Sequence, residues 1–216
     1  MSNVERAVQE FAAGRFVLIL DDPGRENEGD VAIAAECATA QSMNFMIKQC
    51  GGLVCMPIVG RRLDELGLQL MNPCHEPGAP RFTVSVDARH GVTSGISAQD
   101  RATTVRALLN RRTTPRDLLT PGHLFPLRSA DCGLLERQGH TEAAVELACL
   151  AGVYPAAVIC EVLNESGDAA RPPELALFAY KHQMTIVTIA DLIAYRGQTM
   201  TTVRSLHPHS PIAPAA

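Results

Sequence analysis

The sequence predicts an α+β fold in a single domain, and three observations carry that expectation. Short runs rich in Val, Ile and Leu recur at FVLIL (16–20), VAIAAE (31–36), LVCMPIV (53–59), FTVSVDA (82–88), YPAAVICEVLN (154–164) and TIVTI (185–189). Bounded by Gly, Pro and acidic residues, runs of this length read as buried strands. Between them lie segments whose apolar residues recur at helical spacing. At 216 residues the chain fits one domain and can bury a substantial core.

Taken in order, Asn3 is the expected cap of a first helix, with Val4, Ala7, Val8 and Phe11 on one face and Gly14 ending it. Thr39 is placed to cap QSMNFMIKQC, whose Met43, Met46, Ile47 and Cys50 share a face and read as core filler. Gly51-Gly52 stops that helix. A short helix is expected at RRLDELG, then a long irregular loop from Gln69 to Arg81. FTVSVDA alternates apolar and polar residues, so it predicts a strand with one wet face. Ser97 and Asp100 fit the pattern that starts a helix over AQDRATTVRALLN. Thr114-Pro115 opens a short helical turn, and PGHLFPLRS reads as turn-formers around His123. Helices are expected at TEAAVELACLAG, at about 173–182 and at ADLIAYR. One folded domain is therefore drawn at 1–196. The tail 197–216, rich in Pro and hydroxyl residues, is expected to be disordered, with His207 and His209 incidental.

Composition excludes several classes. Net charge is −4 and no basic stretch appears, so nucleic acid is not an expected partner. The seven cysteines are odd in number and none is spaced C-x-x-C, which favours buried thiols in a reducing compartment. The N-terminus does not read as a signal peptide and no apolar run approaches bilayer length, so a cytoplasmic protein with no membrane partner is expected.

Three features carry chemistry. Five carboxylates (Asp21, Asp22, Glu26, Glu28 and Asp30) crowd a loop anchored by strands at both ends, with Arg25 among them. A solvated acidic turn looks the same, but oxygen ligands on a rigid loop also suit Mg²⁺. RQGHTEAAVELACLAG offers a helix start capped by Thr141, with Arg137, Gln138, Gly139 and His140 just before it. Helix N-termini receive phosphate, and an upstream Arg adds a forked donor. Finally, Glu161 stands inside a strongly apolar strand, where a carboxylate is costly unless paired, protonated or metal-bound. Together they suit a Mg²⁺-dependent enzyme acting on a small phosphorylated, hydroxylated substrate. Neither a phosphate-binding G-x-x-x-x-G-K-S/T loop nor a strand-linked G-x-G-x-x-G supports nucleotide chemistry.

LDDPGRENEGD, GVTSGISAQDRATT, PGHLFPLR, RQGHTEA and ICEVLN occur in that order. They resemble the signature segments of 3,4-dihydroxy-2-butanone-4-phosphate synthase of riboflavin biosynthesis, over about Val4 to Arg196. The likeness is to the monofunctional form. It implies an α/β sandwich of that family's own type, a mixed sheet with surrounding helices. It further implies conversion of D-ribulose 5-phosphate to the butanone phosphate and formate, with Mg²⁺ (or Mn²⁺), in a homodimer with shared active sites. Carried over by position, Glu26 and His140 bind metal, and Arg25, Glu26 and Asp30 contact the sugar. Arg137, Gln138, Gly139, His140 and Thr141 hold the phosphate end, while His123 and Glu161 match the catalytic positions. Thr93, Ser94, Asp100 and Arg101 match a segment near the substrate.

The departures lie mainly in NPCHEPGAPRFTV, where Cys74-His75 and Pro80 replace the usual Asn-Thr pair and a Thr. Ser94 stands where Thr is common. This leaves two alternatives open: a paralogue acting on a related sugar phosphate, or a catalytically weak relative kept as a binding protein.

Overall fold

The computed structural model describes residues 2–74 and 78–206, with side chains to 197. The elements follow in the order α1 (Asn3–Ala12), β1 (Val17–Leu20), β2 (Gly29–Ala34), α2 (Ala40–Phe45), β3 (Cys55–Val59), α3 (Gly60–Glu65), β4 (Val86–Ala88), α4 (Ala98–Leu109), β5 (Leu118–Ser129), α5 (His140–Leu150), β6 (Ala157–Glu161), α6 (Pro172–His182), β7 (Thr185–Thr188) and α7 (Ile189–Leu206). The strands make one sheet in the order β4-β5-β3-β6-β2-β1-β7. It is mixed: β1–β7 and β3–β5 are parallel, and the other neighbours are antiparallel.

Both faces of the sheet are covered, which is why its strands read as unbroken apolar runs. Leu18, Val31, Ile33, Met56, Ile58 and Val158 face one side and pack on Met43 and Met46, on Val105 and Leu108 of α4 and on Leu175 and Ala179 of α6. Val17, Ile19, Ala32, Ala34, Cys55 and Ile159 face the other and pack on Phe11 of α1, Ala144 and Leu147 of α5 and Leu192 of α7. The result is a three-layer sandwich. Each fully buried Leu, Ile or Met contributes about 1.5–3 kcal/mol, so Met43 and Met46 are the core filler expected of them. No described helix is long and apolar enough to cross a membrane.

Local chemistry corrects several expectations. Ser2, not Asn3, caps α1: its hydroxyl accepts from the Glu5 amide, and Glu5 reciprocates on the Ser2 amide. FTVSVDA has no wet face. Thr83, Ser85 and Asp87 are all buried because each finds a partner across from β5: the Pro126 carbonyl, the Gly122 amide and His123. Only Val86–Ala88 of that run forms the regular strand β4. PGHLFPLRS is not a set of turns but the middle and end of the twelve-residue β5. Pro126 is tolerated there because β3 is its only regular ladder partner, and the other flank carries an isolated bridge. At the C-terminus α7 passes the boundary drawn at 196 and runs to Leu206. No proline falls between 197 and 206, the next being Pro208, and Gly197 costs a helix only about 1 kcal/mol. Residues 207–216, including His207 and His209, and likewise His75, lie outside the described residues.

Candidate active site

Four of the five acidic residues, Asp21, Asp22, Glu26 and Glu28, sit in the β1–β2 hairpin loop, which closes where Leu20 pairs with Gly29, while Asp30 lies on β2 itself. Asp21 organises it. Its buried carboxylate accepts the amides of Glu26 (3.1 Å) and Glu28 (2.8 Å) and Nη1 of Arg25 (3.0 Å). Arg171, the N-cap residue of α6, donates from Nη1 to the Glu26 carbonyl at 2.6 Å. The loop backbone is thus tied from both sides, while the Glu26 side chain stays half exposed and pairs with the Arg25 guanidinium at 3.1 Å.

The first residue of α5 meets this loop. His140 is buried, and its Nε2 has no hydrogen-bond partner. Burial, ahead of any charge nearby, holds its pKa below the ordinary histidine value, so a neutral ring with a free lone pair is favoured. Ligand atoms of Asp21, Glu26 and His140 lie within 4.8 Å of one another. An orphaned imidazole nitrogen facing two carboxylates is the donor set a divalent cation requires. Glu26 shares both oxygens with the Arg25 guanidinium and Asp21 accepts three donors, so of the three only the His140 nitrogen lacks a partner among the described residues.

The second carboxylate group comes from sheet register. Asp30 on β2 lies directly opposite Glu161 on β6. Asp30 is buried, and burial followed by the charges of Glu161, Glu26, Glu28 and Asp21 raises its pKa well above the carboxylate range. Like charges facing across strands repel, so this pair holds a proton or faces a cation. Glu161 accepts the Leu53 amide at 2.8 Å, and a Cβ on Gly52 would collide with it, so GG at 51–52 gives the carboxylate its seat as well as ending the π-helical turn Met46–Cys50 that continues α2. The Cys55 thiol beside them is pushed upward by burial and by Glu161 and Asp30, which keeps it inert.

A cleft of about 380 Å³ joins these groups, bordered among others by Arg25, Glu26, Asp30, Arg137, His140, Thr141 and Glu161. Gln138 is not among them: it is exposed and borders a neighbouring groove with Asp22 and Ile193. Thr141 is not the helix cap. Gly139 occupies that position and no side chain caps the helix, so Thr141 sits buried inside the first turn. The loop at 78–82 closes one side of the cleft through Pro80 and Phe82, with Arg81 paired to Glu136 at 2.8 Å.

His123 forms a separate group. Its Nδ1 lies 2.7 Å from Asp87 Oδ2, and its amide donates to Asp87 Oδ1 at 2.9 Å. Gly95, at φ +88°, packs where any Cβ would strike both residues. Asp100 does not complete a capping box with Ser97; it accepts Thr93 Oγ1 (2.8 Å) and the Gly95 amide (3.1 Å), fixing the loop over His123. Asp87 was missed by sequence reasoning, although an Asp in a strand run is the same signal that singles out Glu161.

Comparison with known proteins gives this arrangement a family. The family model described as 3,4-dihydroxy-2-butanone 4-phosphate synthase matches residues 5–195. The chain belongs to that family. It is 49% identical over 201 residues to the 3,4-dihydroxy-2-butanone 4-phosphate synthase of Pseudomonas syringae pv. tomato, covering 93% of this chain and 54% of the relative. It is 47% identical over 208 residues to the riboflavin biosynthesis protein RibBA of Aquifex aeolicus, covering 95% and 51%. The chain therefore spans about half the length of these curated relatives. Among solved structures, a 3,4-dihydroxy-2-butanone 4-phosphate synthase in complex with two magnesium ions superposes with a TM-score of 0.87 at 39% identity, covering 93% of this chain and 99% of that one. The two-domain synthase RibBX from A. baumannii superposes with a TM-score of 0.86 at 45% identity, covering 90% and 58%. The synthase family is enzymatic and serves riboflavin biosynthesis, and the α+β sandwich with its mixed sheet is the family's fold.

Proposed function

We propose that this chain is a Mg²⁺-dependent lyase that converts D-ribulose 5-phosphate to 3,4-dihydroxy-2-butanone 4-phosphate and formate. The observation that carries the reading is the convergence on one cleft of an unpartnered buried His140, the half-exposed Glu26 and the cross-strand Asp30–Glu161 pair. The atoms of the substrate equal those of the two products together, so the reaction needs proton transfers and a rearrangement but no net oxidant or water. Carboxylates, histidine and a cation suffice for that.

Glu26 and His140 would hold the divalent cation, Mg²⁺ or Mn²⁺. When bound, it supplies positive charge against adjacent substrate oxygens where negative charge develops. Arg25, Glu26 and Asp30 contact the sugar hydroxyls. Asp30 and Glu161, facing each other across the strands at the cleft, would accept and return protons as substrate charge changes. The uncapped start of α5, with Arg137 and Thr141, receives the phosphate. His123, oriented by Asp87, is the further acid–base group. It does not line the cleft with Glu161, and two exposed side chains lie by it: Ile96 follows Gly95, which packs on His123, and Leu119 lies opposite Asp87. Both facts support a homodimer in which one protomer's His123 completes its partner's site.

Replacing Glu26 by Ala tests the assignment. Turnover and Mg²⁺ binding should be lost together; retained activity would remove Glu26 from the metal site.

A further inference from the structure

Glu142 is the third residue of α5, and its side chain does more than face the helix dipole. It is 1% exposed. One carboxylate oxygen accepts the Ala130 amide at 3.0 Å, and the other accepts Nη1 of Arg137 at 2.6 Å. Arg137 is itself buried, and its Nε donates to the carbonyl of Gly78 at 2.9 Å. Gly139 lies beneath the guanidinium, where a Cβ would collide with Nη1 and Cζ. Two of the three guanidinium nitrogens are therefore fixed by the protein. The third, Nη2, has no hydrogen-bond partner among the described residues, and Arg137 borders the cleft beside Thr141 and His140.

We infer that Glu142 is a positioning residue. It holds Arg137 across the uncapped start of α5 so that Nη2 and the first helical amides meet the substrate's phosphate as one preformed anion site. The inference rests on the proposed sugar-phosphate substrate and adds the residue that makes its phosphate site rigid. Arg is a long side chain with much rotamer freedom, and a partner that fixes it beforehand removes an ordering cost from each binding event. A buried charge pair also loses more from deletion of one member than from deletion of both. The Nε bond to Gly78 joins the same guanidinium to the loop at 78–82, so phosphate site and loop share one anchor.

The test uses the full-length, Mg²⁺-loaded protein with inorganic phosphate as the calorimetric probe and ribulose 5-phosphate for kinetics. E142Q keeps the shape of the side chain but retains one acceptor oxygen for two donors. Phosphate binding should weaken about tenfold, KM should rise by a similar factor, and kcat should stay within about twofold. R137A should lose at least as much, and the double variant E142Q/R137A no more than R137A alone. Should E142Q fail to fold, G139A displaces the guanidinium by bulk with Glu142 intact and should show the same loss. Wild-type phosphate affinity in either variant, or independent losses that add in the double variant, would overturn the inference. Absence of formate release by the wild type, with this phosphate pattern intact, would remove the proposed reaction and leave the role of Glu142 standing.

Discussion

Asp21→Asn is the most informative single change, because it keeps the shape of a fully buried side chain and alters only what it accepts. Its two oxygens take three donors: the amides of Glu26 and Glu28 and the Arg25 guanidinium. Asparagine retains one acceptor oxygen, and its NH₂ must face a donor whichever way it turns. Hydrogen bonds to a charged group are worth roughly 1.5–3 kcal/mol each. Arg25 is partly exposed, so its share is screened. The cheaper orientation loses one amide bond and leaves a donor unpaired, which gives about 3 kcal/mol. For a domain of this size that corresponds to a Tm lower by about 6–12 °C. The assay is thermal unfolding of the metal-free protein, followed by Mg²⁺ titration. The affinity should fall by about 10–100-fold because the loop that aims Glu26 at His140 loosens. A variant that melts within about 1 °C of wild type yet loses Mg²⁺ would refute the scaffold role and make Asp21 a direct ligand.

Two further predictions follow from the buried carboxylates. Asp30 carries a raised pKa in the folded state, so the stability associated with its protonation is fully present below the unfolded carboxylate value near 3.9 and is lost as pH rises through the folded one. In EDTA, Asp30→Asn should match wild type at acid pH and become progressively the more stable of the two towards neutrality, while turnover collapses; a pH-independent difference in denaturant unfolding would contradict this. Asp87→Asn removes the charge that orients His123 at 2.7 Å. It should lower kcat by about 10²-fold with little change in KM, and unchanged steady-state rates would remove His123 from the chemistry.

The sequence made most of the sheet legible because both its faces are buried. β1, β2, β3, β6 and β7 appear as unbroken apolar runs for that reason. β5 was hidden by its own prolines, which signal turns locally, whereas strand pairing overrides them in the fold. The site was legible residue by residue but not in its pairings. Glu161 stood out as a carboxylate in an apolar strand, yet its opposition to Asp30 is a matter of register that no local pattern encodes. Asp87 looked like the wet side of an alternating strand, and an acid in a first helical turn, where Glu142 stands, is ordinary dipole chemistry that signals no buried partner. Each proved buried because its partner, His123 or Arg137, comes from another segment. Gly139 gives the Arg137 guanidinium its seat, and Gln138 falls outside the cleft.

Under the proposed function, Glu26 and His140 would hold a divalent cation that release of formate from ribulose 5-phosphate requires. Formate release by the purified full-length protein tests it most directly. The account predicts one formate per ribulose 5-phosphate consumed, abolished by EDTA and restored by excess Mg²⁺. Undiminished release in EDTA, or none at saturating Mg²⁺, would contradict it.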